Sequence, residues 1–303
     1  MTNKLNHVFL THISILDKSS AVLIAGGYFN NYSLSSIELI SNDYKKNQIP
    51  NLPVPIGVSP SMFMHNETIM LCGGYPNNLG CLALMKGAWK YHSILNQKRS
   101  YASVATTRSA TFLFGGWESK DTYEFLPNNS TEWQVGKKKI PGGFWDGSAI
   151  AVSQNEIWLI GGMYTYKRIL SFDTRTHQFE ELSLKLIHGR RDGHRCAFVP
   201  GTNSIIVTGG RDCDWNEMSL TELINVDDKS ITNVRSMNYE RFHHGIGILT
   251  IDDEDQVAVF GGYDGTDVIS CIEIFNQEKQ EWEIPNFNLM KARSQFGFMT
   301  VKL

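Results

Sequence analysis

Six short apolar runs recur along the chain, and each ends in a glycine pair. The pairs occupy positions 26–27, 73–74, 115–116, 161–162, 209–210 and 261–262. Measured between first glycines, successive pairs are 47, 42, 46, 48 and 52 residues apart. A self-similar period of about 40 to 50 residues is typical of propeller blades. The spacing therefore predicts an all-β chain, a six-bladed β-propeller with four-stranded antiparallel blades, in which residues 1–303 form one domain.

The sixth copy shows how one repeat is built. A run from Val257 ends at Gly261–Gly262, the turn Asp264–Gly265 follows, and a second β-rich run extends to Phe275. Short runs of Val, Ile and Phe between turn residues indicate successive antiparallel strands. Glycine at the end of a strand allows backbone angles that other residues avoid, or a close approach by another backbone.

The repeat resembles that of the Kelch family. The family pattern has an arginine opening the first strand, Gly-Gly after the second, an aromatic residue ending the third and a tryptophan in the fourth. The sixth copy has Arg241, Gly261–Gly262, Phe275 and Trp282, and the third has Arg99, Gly115–Gly116, Phe125 and Trp133. The fourth copy has Phe179 in place of the tryptophan, and the first and fifth lack it. The resemblance covers nearly the whole chain and implies a propeller like that of the BTB-Kelch proteins, while saying little about function.

Both ends of the chain contain a stretch that resembles a first strand, Val8 to Leu16 and Arg293 to Val301. In the family, a strand from one terminus often completes the blade begun by the other, which removes an open edge. Because Arg293 carries the family's arginine, we expect residues 293–301 to close the ring as the inner strand of the first blade. Val8 to Leu16 would then be an added edge strand or the end of a linker.

Charge and hydropathy narrow the classes of partner. The net charge is −3 and the pI is about 6.3, whereas a nucleic-acid-binding domain usually has a basic patch and a high pI. No stretch is long and apolar enough to predict a transmembrane span. We therefore expect a monomeric propeller with a protein partner, bound neither to nucleic acid nor to a membrane.

The five cysteines bear on the compartment. Their odd number leaves at least one free thiol in a monomer, and no secretory signal is recognisable, so the sequence favours the cytoplasm. However, Cys72 ends a second strand and Cys81 begins the third strand of the same blade, close enough to form a bridge. A disulfide there would instead indicate an extracellular protein.

Four arginines open first strands and are the first candidates for partner binding: Arg99, Arg191, Arg241 and Arg293. Ring symmetry should place them around one mouth of the propeller. In BTB-Kelch ubiquitin-ligase adaptors, which the chain resembles, arginines at this repeat position hold acidic peptides, and a guanidinium pairs with a carboxylate through two hydrogen bonds. The alternative is that each arginine braces its own blade, because residues encoded by a repeat are often architectural. His244, next to this set, is a further candidate, with a buried hydrogen-bonded role as its alternative.

Residues that directly follow the glycine pairs form a second candidate surface. Trp117, Tyr164 and Arg211 belong to it, and aromatic and arginine side chains are the usual anchors of protein interfaces. The alternative is packing over the next blade, which is favoured for Tyr75 and Tyr263. The lysines 137–139 could also mark a binding surface, although a solvated turn is the simpler interpretation.

The sequence gives little support for a metal site or for enzymatic activity. Asp212, Asp214 and Asn216 alternate as at the start of a calcium loop, but Glu217 replaces the expected glycine and no glutamate stands at the twelfth position. No Cys or His cluster has zinc spacing. We therefore expect no metal, no cofactor and no catalytic residue, with a propeller enzyme such as a carbohydrate oxidase or epimerase as a minor alternative.

Together these features predict a non-enzymatic protein-interaction module that binds a peptide or loop, acidic in character, at one mouth of the propeller. Substrate-recognition propellers of ubiquitin-ligase adaptors are the model for this function. The alternatives are a cytoskeletal scaffold of the actin-binding type and a secreted Kelch protein that binds extracellular ligands.

Overall fold

The computed structural model describes residues 19–41, 49–76, 79–189 and 191–303. All regular elements in these ranges are β-strands, so none of them is a helix that could cross a membrane. The predicted strand Val8 to Leu16 lies outside the described residues. The described strands form six antiparallel sheets, which are the blades of a β-propeller, and one short hairpin.

The strands follow the glycine-pair period. Blade I contains β25 (Gly297–Lys302), β1 (Ser20–Ala25) and β4 (Ile37–Ile40), with the hairpin β2 (Tyr28–Phe29) and β3 (Tyr32–Ser33) between β1 and β4. Blade II contains β5 (Ser61–His65), β6 (Thr68–Cys72), β7 (Gly80–Met85) and β8 (Ala88–Ile94). Blade III contains β9 (Ser103–Thr106), β10 (Ala110–Phe114), β11 (Tyr123–Pro127) and β12 (Gln134–Val135).

The second half of the ring repeats this order. Blade IV contains β13 (Ser148–Ala151), β14 (Glu156–Ile160), β15 (Arg168–Asp173) and β16 (Gln178–Lys185). Blade V contains β17 (Arg195–Phe198), β18 (Ser204–Thr208), β19 (Thr221–Asn225) and β20 (Ile231–Val234). Blade VI contains β21 (Gly245–Ile251), β22 (Glu254–Phe260), β23 (Ile272–Asn276) and β24 (Glu281–Glu283).

The C-terminal strand is part of the first blade. β25 pairs antiparallel with β1, from Ser20 opposite Lys302 to Ala25 opposite Gly297. The inner strands contact one another in the cyclic order β25, β5, β9, β13, β17, β21 and back to β25. The ring is thus closed by one sheet that contains both an early and a late segment of the described chain.

The hydrophobic core is divided among the junctions between blades. Six buried clusters occur, one at each junction, and the cluster between blades III and IV packs Phe112 and Phe114 against Leu159 and Phe172. Burying such a side chain contributes about 1.5–3 kcal/mol. Each blade therefore depends on both neighbours for its apolar contacts.

The glycine pairs form the backbone joints between blades. In every pair the first glycine lies against a carbonyl at the start of the next blade, and the second glycine donates its N–H to that carbonyl at 2.7–3.1 Å. The accepting carbonyls belong to Ile56, Arg99, Phe144, Arg191, Arg241 and Arg293. All twelve glycines have positive φ values, and a Cβ on the first glycine would overlap the carbonyl. This close approach explains why the repeat requires two glycines.

A closed ring of backbone hydrogen bonds surrounds one mouth of the central channel. The residue two positions before each inner strand donates its backbone N–H to the carbonyl of the equivalent residue in the preceding blade, at 2.7–3.3 Å. The six residues are Ser59, Tyr101, Asp146, Gly193, His243 and Gln295, all with φ between +44° and +64°. Five of them are not glycine, so the ring holds backbone angles that cost about 1 kcal/mol or more each in isolation.

One disulfide joins two strands of blade II. Cys72 in β6 lies opposite Cys81 in β7, and their sulfurs are bonded. Cys196, Cys213 and Cys271 are free.

Candidate functional site

The glycine pairs, the loops that follow them and the loops that lead into the inner strands all lie on one face of the ring. This arrangement follows from antiparallel pairing, because the second strand of a blade ends where the first and third strands begin. We call this side the glycine-pair face. The candidate residues from the sequence lie on it or directly below it.

The four repeat arginines are buried below this face. Arg99, Arg191, Arg241 and Arg293 are each 0–1% exposed. Each guanidinium donates to the carbonyl of the first glycine of its own blade, at 2.6–2.7 Å. Each also forms an ion pair, at 2.6–3.1 Å, with a buried glutamate in the third strand of that blade. These contacts favour the bracing alternative and leave no guanidinium open to a partner.

The glutamates that pair with these arginines are distributed in the same way along the chain. Arg99 pairs with Glu124, Arg191 with Glu222, Arg241 with Glu273 and Arg293 with Glu38. Blades II and IV have no such arginine, and by strand register the glutamate position is filled there by Leu82 and Leu170. A buried charge without a partner is costly, whereas an apolar pair at the same place is tolerated. The joint presence or absence of both residues indicates an architectural ion pair.

His244 is also buried rather than placed at an open mouth. Its ring is 1% exposed, and Nε2 is 2.8 Å from the hydroxyl of Thr208 in the neighbouring blade. Burial and the nearby arginines hold the pKa of His244 well below its ordinary value, so the ring is neutral. It links blades V and VI, in accordance with the alternative role that the sequence left open.

Trp117 and Tyr164 are brought together across two blades. Trp117 is 61% exposed and Tyr164 is 42% exposed, and the buried ring of Trp145 lies between them. The ring centroid of Trp145 is 4.8 Å from that of Trp117 and 6.3 Å from that of Tyr164. The ammonium of Lys120 lies 4.5 Å from the centre of the Tyr164 ring. Trp145 was not predicted from the sequence, because it lies in the loop that leads into β13 and not directly after a glycine pair.

Exposed lysines lie on the loops that carry or adjoin this aromatic cluster. Lys120 and Lys167 lie on the loops of blades III and IV that carry Trp117 and Tyr164, and both are exposed. The loop that leads into β13 adds the exposed lysines 137–139, where Lys139 pairs with Asp121 at 2.9 Å. Glu118 is the other acid here, and it accepts hydrogen bonds from the backbone N–H and hydroxyl of Ser100. We call Trp117, Trp145 and Tyr164 with Lys120, Lys167 and lysines 137–139 the aromatic-lysine surface.

Arg211 lies apart from this surface, in blade V. Its guanidinium is stacked 4.2 Å from the ring of Trp215 and 4.1 Å from that of Phe242, and it pairs with Asp192 at 3.3 Å. Five further acids lie on the neighbouring loops of blades V and VI: Asp212, Asp214, Glu217, Asp264 and Asp267. The glycine-pair face therefore has a basic aromatic side and an acidic side.

The alternating acids after Arg211 form a turn. Oδ1 of Asp212 accepts the backbone N–H groups of Asp214 and Asn216 at 2.8 and 2.9 Å. Within the described ranges, no three His, Cys, Asp or Glu side chains converge as a group that could hold a metal ion.

Comparison with known proteins agrees with the repeat structure. A family model described as Kelch motif matches residues 256–285. A protein of Dictyostelium discoideum named as a RING finger domain and kelch repeat-containing protein is 26% identical over 187 residues. The match covers 60% of this chain but only 17% of that relative. Kelch repeats generally mediate protein–protein interaction, and their propellers are typically non-enzymatic. The chain is thus a six-bladed propeller whose sixth repeat matches the Kelch motif and which is similar over 187 residues to a kelch repeat-containing protein.

Proposed function

We propose that the propeller is a protein-recognition module that binds an acidic peptide or loop on the aromatic-lysine surface. The observation that carries the proposal is the exposure of Trp117 and Tyr164 on a buried Trp145, with lysines on the same loops. Exposed aromatic side chains supported from below supply contact area at little cost in entropy. The lysines supply the charge that the four buried arginines do not.

The position of the charges supports an acidic partner. The exposed lysines of blades III and IV would attract carboxylates, while the aspartates of blades V and VI would repel them and so orient the bound segment. The nearest acids of the aromatic-lysine surface, Glu118 and Asp121, are already engaged within the protein. Binding should therefore weaken as the salt concentration rises.

A role as the recognition part of a larger assembly accords with the family. In the Dictyostelium relative, kelch repeats occur in one chain with a RING finger domain. We propose that this propeller likewise supplies partner recognition within a larger assembly.

Affinity capture from a lysate of the source organism, with proteins identified by mass spectrometry, tests the surface. The variant Trp117→Ser/Tyr164→Ser should lose a captured protein that the intact chain retains, with an affinity at least about tenfold lower once that protein is purified. The control Ile94→Ser/Ile284→Ser removes two side chains that are 67% and 51% exposed on the outer part of the blades, and it should bind normally.

The charge contribution is tested separately with Lys120→Glu/Lys167→Glu. This variant should bind more weakly and with less dependence on salt, because it removes two cations from the contact. Equal capture by the intact chain and both surface variants would refute the proposed surface.

A further inference from the structure

The central channel contains a cavity of about 380 Å³ between the six inner strands. At the glycine-pair face, side chains from different blades close it: the hydroxyl of Tyr101 donates to Gln295 at 3.2 Å, and Nε2 of His243 is 2.7 Å from a carboxylate oxygen of Asp146. At the opposite end, Met64 and Thr106 line the cavity and are exposed. The cavity therefore has a polar closed end and an open end, and its volume is that of a small-molecule site.

One lining residue departs from the repeat. The first residues of the six inner strands, in blade order II to VI and then I, are Ser61, Ser103, Ser148, Arg195, Gly245 and Gly297. The three serines each donate to a carbonyl at the start of the next blade, at 2.9–3.2 Å, which is a structural role. Arg195 alone carries a charge, and its guanidinium reaches across the channel to lie 5.8 Å from the ring of Phe298 in β25.

The charge of Arg195 is incompletely paired by the protein. Nη1 donates to the carbonyl of His194 at 2.8 Å, and the nearest carboxylate oxygen, Oδ1 of Asp146, is 3.8 Å away. That carboxylate is already hydrogen-bonded to His243 through Oδ2. Nε and Nη2 of Arg195 make no hydrogen bond to the residues that the structure describes, and they are open to the channel rather than fully buried. A guanidinium offers two parallel donors that match a carboxylate.

We propose that the central channel binds a small organic carboxylate, held by Nε and Nη2 of Arg195. The body of the ligand lies against Phe298 and Met62, and it enters from the end where Met64 and Thr106 are exposed. An apolar wall beside a single guanidinium suits an organic acid better than an inorganic anion, which offers nothing to bury. This site lies inside the ring and is independent of the aromatic-lysine surface.

Thermal-shift and calorimetric titrations of the intact protein with acetate, lactate, benzoate and citrate test the proposal. At least one of these acids should bind saturably at millimolar concentration, while its amide and sodium sulfate should not. Arg195→Met should weaken binding about 10- to 100-fold, because it removes charge-assisted hydrogen bonds. The control Arg235→Met removes a surface arginine that pairs with Glu281, and it should leave binding unchanged.

A crystal soaked with 4-bromobenzoate gives a measurement that does not depend on the folding of a variant. Bromine density in the channel beside Phe298 is the expected result. Four outcomes would overturn the proposal: none of the acids binds, the amide or sulfate binds equally well, Arg195→Met folds and binds normally, or the bromine lies elsewhere.

Discussion

At the residue scale, the buried arginine–glutamate pairs should behave as structural units. Arg241→Met leaves Glu273 buried without its cation and should lower the free energy of unfolding by about 3–5 kcal/mol. Glu273→Leu should cost a similar amount, because it also removes the acceptor of the Asn238 and Tyr239 N–H groups. The double variant should be more stable than the sum of the single losses implies, by about 2 kcal/mol or more. Urea unfolding of the four proteins measures this coupling.

A different outcome would instead assign Arg241 to partner binding. If Arg241→Met kept the stability of the intact protein but lost a protein partner, the bracing role would be wrong.

The repeat places all four arginines just before inner strands, but it does not show whether a guanidinium points into its own blade or towards a partner. A second signal was present in the sequence: an acid in the third strand occurs in the four blades that have the arginine, and leucine stands there in the other two.

At the element scale, the joints between blades should tolerate no side chain on the first glycine. Gly115→Ala would place a methyl group on the carbonyl oxygen of Phe144 in the next blade, so the blades must separate locally. Gly201→Ala is the matched control, since Gly201 has a similar φ of +71° but no atom within 4 Å of the added methyl. We expect the control to cost about 1–2 kcal/mol from backbone strain alone and Gly115→Ala to cost several kcal/mol more.

Thermal and urea unfolding of these two variants, compared with the intact protein, measure the difference. Equal losses would mean that the pair is required for its backbone angles alone.

The glycine spacing was sufficient to predict the blades because the joint recurs in every repeat. The aromatic-lysine surface was predicted only in part, since Trp117 and Tyr164 follow glycine pairs whereas Trp145 comes from the next blade's leading loop. Contacts between loops of different blades depend on the assembled ring, which the repeat pattern does not specify.

At the scale of the whole molecule, the stability of each blade depends on closure of the ring. β25 pairs with β1, contacts β5 and β21, and contributes Phe298 and Met299 to the packing of both junctions of blade I. Gln295, two residues before β25, completes the circle of backbone hydrogen bonds between His243 and Ser59. Because every blade is buried against two neighbours, loss of one inner strand opens two junctions at once.

Deletion of residues 297–303 should therefore unfold the whole propeller rather than fray one blade. The expected result is loss of the cooperative thermal transition. Amide hydrogen exchange should also become fast in blades III and IV, on the far side of the ring. Lys302→Ala is the matched control, because it keeps the strand and removes only a hydrogen bond to the Ser20 hydroxyl and the exposed ion pair with Asp255, the latter worth about 0–1 kcal/mol. If the truncated chain retained slow exchange in blades III and IV, the blades would be stable as a partial array, and closure would contribute only to blades I and VI. The ring of hydrogen bonds makes the cooperative outcome the expected one, since it links all six inner strands through one continuous backbone circuit.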